Sequence, residues 1–438
     1  MEMPHPNRPP VQRARSPFAL VLGQRLGRLL PRFGRTPQPA SGDSLLDLAG
    51  GLLSLRGRAS GPSLASAFFD LYEASDLAAR QAFLAQLHDL YPRDRAAIGQ
   101  AIAQWQERGD ETAAAALNEA SESPSQRLIR LLNLAPGGTR RLIAMREDLL
   151  AAPTMTPGLE ALDREFEDVF ATWFNAGFLE LRRIDWNAPA ALLERIIRYE
   201  AVHEIDGWDE LRRRVEPVDR RCYGFFHPQM ADDPLIFVEV ALTLELPSSI
   251  RQVIALDRAT LDPHEASCAI FYSISNCQTG LRGIPFGNFL IKQVVGVLCQ
   301  ELPQLSRFAT LSPVPGFARW LGKELDGAPV PEGDALRAQA ARYLVTARNG
   351  RGEVLDSVAR FHLGNGARLE AVHSDGDLSP KGMQQSHGIM VNYLYDLAEI
   401  EANLFGLAEL GTVATSRPVQ ELLGETSVKN GKNRKRAA

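Results

Sequence analysis

Residues 268–319 constrain the chain most, because they spell out strand, glycine-bearing loop, helix and strand without interruption. The segment reads CAIFYSIS (268–275), NCQTGLRGIPFG (276–287), NFLIKQVVGVLCQEL (288–302) and RFATLSPVPGF (307–317). The flanking runs are short and rich in β-branched and aromatic residues, as buried strands are, and the run between them has helical length. A strand feeding Gly280, Gly283 and Gly287 and then a helix is a place to hold a phosphate. Glycines admit close backbone approach, and a helix N-terminus offers unpaired N–H groups and a positive dipole end. No Gly-Lys-Ser/Thr follows, so this is not a P-loop, and the G-x-G-x-x-G fingerprint of dinucleotide binding is absent. Without a ligand the same residues make a plain strand-to-helix turn. Ser312 lies just past the second strand, where Pro313, Pro315 and Gly316 fix the backbone; on spacing alone it is a serine opening a turn.

The rest of the chain supplies a second domain. A length of 438 residues favours two domains over one, and 45% hydrophobic with 23% charged residues is ordinary for a globular protein with a large core. A net charge of −5 gives no global signal for nucleic acid, and no apolar run reaches the length of a membrane span. Residues 1–43 read as a flexible basic tail containing a short amphipathic stretch, FALVLGQRLGRLLPRF. That pattern fits a bacterial cytoplasmic protein with a free tail better than an organellar leader. Residues 44–190 carry helical spacing: Leu64, Phe68, Leu71 and Tyr72, then Phe83, Leu84 and Leu87, and a stretch from 156 to 184 opened by Thr156 and Pro157 as N-cap and first helical residue. No catalytic spacing shows there, and its aromatic residues read as core. The region is expected to serve packing or assembly. From 191 to 426 short strand-like runs, among them CYGFF (222–226) and PLIFVEVALT (234–243), alternate with helices at 288–302 and 334–348, which predicts a mixed α/β domain. SVARFHLGNGARLEAVH (357–373) reads as strand, turn, strand. Residues 427–438 form a basic tail.

Few residues stand out as chemical groups. The four cysteines, Cys222, Cys268, Cys277 and Cys299, are dispersed and read as buried thiols, and no cysteine or histidine spacing matches a zinc site. His362 competes on composition with His227, His264, His373 and His387, and Tyr393 with Tyr395 share one face of a short element.

Taken together, RCYGFFHP (221–228), PLIFVEVALT, AIFYSISNCQTGLRGIPFGNFLIKQVV, LSPVPGF, RFHLGNGA and GIMVNYLYDL (388–397) resemble the malonyl-CoA decarboxylase family, in the family's order. The resemblance implies a helical N-terminal bundle used for oligomerisation and a catalytic domain with a GCN5-related N-acetyltransferase-like mixed α/β fold. It implies decarboxylation of malonyl-CoA to acetyl-CoA and CO2 without metal or organic cofactor, by a homo-oligomer, dimer or tetramer. The family's catalytic serine and histidine fall on Ser312 and His362. Its CoA-contacting loop falls on Arg282, Gly283, Ile284, Pro285, Phe286, Gly287 and Asn288, and an active-site tyrosine on Tyr395. Where some relatives carry an acidic residue this chain has Pro285.

The chemistry suits these residue types. Loss of CO2 from a malonyl thioester leaves an enolate for which the thioester carbonyl is already the electron sink, so the protein must orient the carboxylate, stabilise the enolate oxygen and protonate carbon. Ser312 is expected to hold the carboxylate or the oxyanion, and His362 to deliver the proton as an imidazolium of near-neutral pKa. The alternatives are a CoA-dependent N-acetyltransferase, a non-catalytic acyl-CoA-binding sensor, and an acyl-serine hydrolase. The last is disfavoured because no nucleophile elbow surrounds Ser312 and the following proline offers no N–H for an oxyanion hole.

Overall fold

The computed structural model describes residues 44–255, 257–284 and 289–424. The two basic tails and the loop residues Pro285, Phe286, Gly287 and Asn288 lie outside the described residues. The chain divides into two compact units between Gly138 and Thr139. The sequence pattern had put a domain boundary later, after residue 190.

The first unit is helical: α1 (Leu45–Leu53), α2 (Leu55–Ala74), α3 (Leu77–Leu90), α4 (Arg95–Arg108), α5 (Glu111–Ser121) and α6 (Pro124–Leu132). Five of these starts have a chemical cause. Ser44 and Asp47 form a capping box, and Asp76, Asp94, Asp110 and Ser123 cap α3 to α6 with side-chain oxygens. Phe68, Tyr72 and Phe83 pack ring against ring and are buried. Trp105 departs from the expected core role, being 43% exposed.

The second unit holds the sheet. In chain order it contains α7 (Gly138–Leu150, entering the unit at Thr139), α8 (Pro157–Trp173), β1 (Glu180–Ile184), α9 (Ala190–Tyr199), α10 (Trp208–Val215), β2 (Arg220–Phe226), β3 (Ile236–Thr243), α11 (Ile250–Ile254) and β4 (Cys268–Asn276). It continues with α12 (Phe289–Glu301), β5 (Arg307–Thr310), β6 (Ser312–Pro313), α13 (Phe317–Leu325), α14 (Gly333–Thr346), α15 (Ser357–Gly364), β7 (Arg368–His373), α16 (Pro380–Ser386), β8 (Met390–Leu394) and α17 (Ile400–Leu410). The strand order is β1-β2-β3-β4-β5-β8-β6, with β7 also on β8. All pairs are antiparallel except β4 with β5, which run parallel and are joined through α12. That is the connection a parallel pair requires.

Two local readings change. Residues 180–184 are an edge strand rather than the end of a helix, because Glu180–Ile184 pairs residue for residue with Phe226–Cys222. That pairing is non-local and leaves no periodicity in five residues. SVARFHLG is a helix, not the first strand of a hairpin. Asp356 caps it, accepting from the N–H groups of Val358 and Ala359 at 3.0 Å, and it ends at Gly364, with Asn365 as its C-cap and Gly366 turning the chain at φ +84°. Only the second half, Arg368–His373, is a strand.

Candidate active site

The site lies where β4 and β5 part. Their parallel register runs from Cys268↔Arg307 to Phe271↔Thr310. Beyond it β4 continues to Asn276, while the other chain leaves to pair with β8 through Ser312↔Val391. Ligands in open α/β sheets bind beyond the carboxyl ends of strands at such a divergence. A cavity of about 270 Å³ fills this gap, walled by Ser273 and Asn276 of β4, Val202, Ser312, Phe361 and His362. Tyr272 is an extra residue on the β4 rim: Val240 pairs with Phe271 and Glu239 with Ser273, so a bulge bends the strand there.

Ser312 and His362, fifty residues apart in sequence, meet at 3.2 Å between Oγ and Nε2. Both are buried, at 5% and 4% exposure. Behind the imidazole, the Tyr395 hydroxyl lies 2.8 Å from Nδ1, and the Tyr393 ring stacks on it with centroids 4.8 Å apart. Ser312 donates its hydroxyl proton to Thr310 Oγ1 at 2.8 Å, an oxygen that also accepts from the Tyr393 N–H. With its proton so placed, Ser312 Oγ is an acceptor toward His362, and Nε2 carries the hydrogen. Burial pushes the His362 pKa down to about 3, so the ring is neutral and Nδ1 has a lone pair. Tyr395, whose own pKa burial drives up, stays protonated and donates to it. The near-neutral imidazolium expected from the sequence is therefore corrected: full burial, with no facing carboxylate among the described residues, disfavours the charged form.

Val202 is held in place from below. The Glu200 carboxylate accepts from the Val202 and His203 N–H groups at 2.8 Å and from the Ser273 hydroxyl at 2.7 Å, and Lys381 Nζ donates to the Ala201 and Val202 carbonyls.

The glycine loop is gripped by α7 and α8. Arg146, 1% exposed, donates through Nη1 to the Gly280 and Arg282 carbonyls at 2.9 and 2.8 Å, and pairs with Asp163 and Glu167. Glu147 accepts from the Gly280 N–H. A Cβ on Gly280 would lie 2.2 Å from the Ile143 carbonyl, so this glycine serves helix packing. Gly283 has φ +86° and faces Glu167, the conformation a glycine tolerates. The Arg282 side chain is exposed and Ile284 is buried. Thr310, Glu200, Lys381 and Arg146 were not singled out by the sequence reading. Only the Thr-x-Ser alternation, which sets Thr310 and Ser312 on one side of the chain, hinted at any of them.

Two family models match. The malonyl-CoA decarboxylase C-terminal domain matches residues 177–331 and 330–433, and the malonyl-CoA decarboxylase N-terminal domain matches residues 91–174. This chain belongs to the malonyl-CoA decarboxylase family. It is 36% identical over 336 residues to the mitochondrial malonyl-CoA decarboxylase of Anser anser anser, covering 65% of this chain and 66% of that one. The Rattus norvegicus protein is 33% identical over 339 residues, covering 66% and 69%. The chain thus matches about two thirds of the length of these relatives. Crystal structures of malonyl-CoA decarboxylase from Rhodopseudomonas palustris and Agrobacterium vitis superpose with a TM-score of 0.80 each, at 47% and 48% identity. They cover 87% and 86% of this chain and 100% and 99% of theirs. The carboxy-lyase reading accordingly stands ahead of the acetyltransferase one. No helix among the described residues is long and apolar enough to cross a membrane.

Proposed function

We propose that this chain converts malonyl-CoA to acetyl-CoA and CO2 with Ser312 and His362 as its catalytic pair. The observation that carries the assignment is the 3.2 Å contact between His362 Nε2 and Ser312 Oγ on the wall of the cavity between β4 and β5. A neutral imidazole N–H is an electrophilic donor: it stabilises negative charge that develops on the thioester oxygen without itself being charged beforehand. When the carboxylate carbon departs as CO2, the C–C electron pair becomes the enolate. The enolate carbon, a stronger base than imidazolate, then takes the Nε2 proton, and water restores it after release. Tyr395 steadies Nδ1 throughout, and on substrate binding the Ser312 hydroxyl turns from Thr310 to donate to the substrate carboxylate.

The same geometry argues against the acyl-serine hydrolase. A general base must present a lone pair to the serine proton, and here that proton points to Thr310 while Nε2 is already protonated. For CoA itself, the loop from Arg282 to Asn288 is the proposed contact. Gly283 and Ile284 are supported by the anchoring of the loop on Arg146; Pro285, Phe286, Gly287 and Asn288 are assigned by family likeness alone. The helical region is proposed to assemble the chain into a dimer or tetramer, which sedimentation at micromolar concentration would test, a monomer contradicting it.

The deciding experiment is incubation with malonyl-CoA, following thioester products and intact protein mass together. Acetyl-CoA with an unmodified chain is expected, and His362→Asn should lower turnover by roughly 10²–10⁴-fold with CoA affinity retained. Persistent malonyl-CoA with folded protein would overturn the reaction, and an acyl adduct on Ser312 would overturn the roles.

A further inference from the structure

The two members of the pair come from different elements, and one buried carboxylate ties those elements together. Asp356 is 2% exposed and lies at the start of α15, the helix that carries His362 in its last turn. Its Oδ1 accepts from the Val358 and Ala359 N–H groups at 3.0 Å. Its Oδ2 accepts from the Gly316 N–H and from the Tyr343 hydroxyl, each at 3.3 Å. Gly316 ends the Ser312-Pro-Val-Pro-Gly segment. Tyr343 belongs to α14, and its ring packs on Phe317 and Trp320 of α13, with centroids 5.8 and 5.1 Å apart.

We propose that Asp356 is the positioning residue that sets the spacing of Ser312 and His362. One oxygen holds the His362 helix and the other holds the Ser312 segment, so the two registers are fixed against a common point. Both links are stiff. Pro313 and Pro315 lock φ between Ser312 and Gly316. Six residues of helix, about 9 Å, separate Asp356 from His362. A small shift at the carboxylate therefore travels undamped to the 3.2 Å contact. Gly316 is part of the same fitting, because a Cβ there would lie 2.2 Å from the Tyr343 hydroxyl. The inference rests on the proposed decarboxylase roles of Ser312 and His362, and its test includes a readout independent of turnover.

The test compares wild type with Asp356→Asn and Asp356→Ser in the full chain. Asn keeps an oxygen for the α15 cap but turns an amide toward the Gly316 N–H, and Ser keeps a cap without reaching Gly316. Turnover of malonyl-CoA by wild type first checks the underlying reaction. Each variant is then expected to lose roughly 10- to 100-fold in kcat with KM changed less than about threefold, the signature of misplaced reacting groups. The ¹⁵N-imidazole resonances of His362, assigned with His362→Asn, should move in both variants. Asp219→Asn is the control. Asp219 is a carboxylate at 1% exposure held by Arg258, and its loss should lower stability while leaving kcat and the His362 signal as in wild type. If neither Asp356 variant folds, Tyr343→Phe, which removes one donor from Oδ2, is read in the same way. A folded variant of this set with wild-type kcat and unmoved His362 resonances overturns the proposal, even where its melting temperature has dropped.

Discussion

Ser312 gives its hydroxyl proton to Thr310, across 2.8 Å, and not to His362. One threonine thereby decides which tautomer the histidine adopts, and so whether the pair resembles a nucleophile with its base or a donor array facing an enolate. Thr310→Val preserves shape and removes the acceptor. The freed Ser312 hydroxyl would turn toward His362 and compete for Nε2. We expect kcat to fall about tenfold or more, and stability to fall by about 1–3 kcal/mol because the Tyr393 N–H is left buried without its partner. Steady-state kinetics with thermal unfolding would check both; unchanged kcat would detach Thr310 from the mechanism.

Tyr395→Phe removes the donor at Nδ1 while leaving the ring in place. A buried Nδ1 without its donor leaves the ring less firmly oriented, so turnover should drop by roughly 10–100-fold with KM little altered. If instead KM rises and kcat holds, Tyr395 binds substrate and does not steady the imidazole.

Arg146→Met tests the loop. It strips the Gly280 and Arg282 carbonyls of their shared donor and leaves Asp163 and Glu167, which are 19% and 40% exposed, without a cation. Because water reaches both carboxylates, the loss is set by the carbonyls, on the order of 1–3 kcal/mol. Affinity for CoA should weaken as the loop loses its anchor. Calorimetry showing wild-type CoA affinity in a folded variant would place the CoA contacts elsewhere.

Burial of His362 also links folding to pH. In the unfolded chain the ring takes a proton below its ordinary pKa of 6.5, whereas in the folded chain it stays neutral down to about 3. The unfolded state therefore binds more protons in that window. The stability contributed by the neutral ring is complete above pH 6.5 and is lost as pH falls from 6.5 toward 3. Chemical denaturation at pH 7 and pH 5 should show a smaller difference for His362→Asn than for wild type.

What the sequence made legible follows physical lines. The strands 220–226, 236–243 and 268–276 and the helix 289–301 announce themselves because buried parallel or central strands are continuous apolar runs and α12 has ample length. β1 did not, since its five residues become a strand only by pairing with β2. RFHLGNGA misled because Phe and His suit a strand as well as a helix, and the decisive signal was Asp356 outside the motif, acting as an N-cap. Ser312, His362 and Tyr395 were named through a family likeness, and the structure brings them within hydrogen-bonding distance. Thr310, Arg146 and Asp356 act through contacts across 2, 134–136 and 40 residues of sequence, and only folding reveals the last two kinds.

The protonation state of His362 is the point on which the roles of Ser312, Thr310 and Tyr395 all depend. ¹⁵N-histidine NMR of the full chain between pH 5 and 8, assigned with His362→Asn, reads it directly. The expected spectrum has one protonated nitrogen, Nε2, and one bare nitrogen, Nδ1, without change across the range. An imidazole protonated at both nitrogens near pH 6, or carrying its proton on Nδ1, would contradict the account.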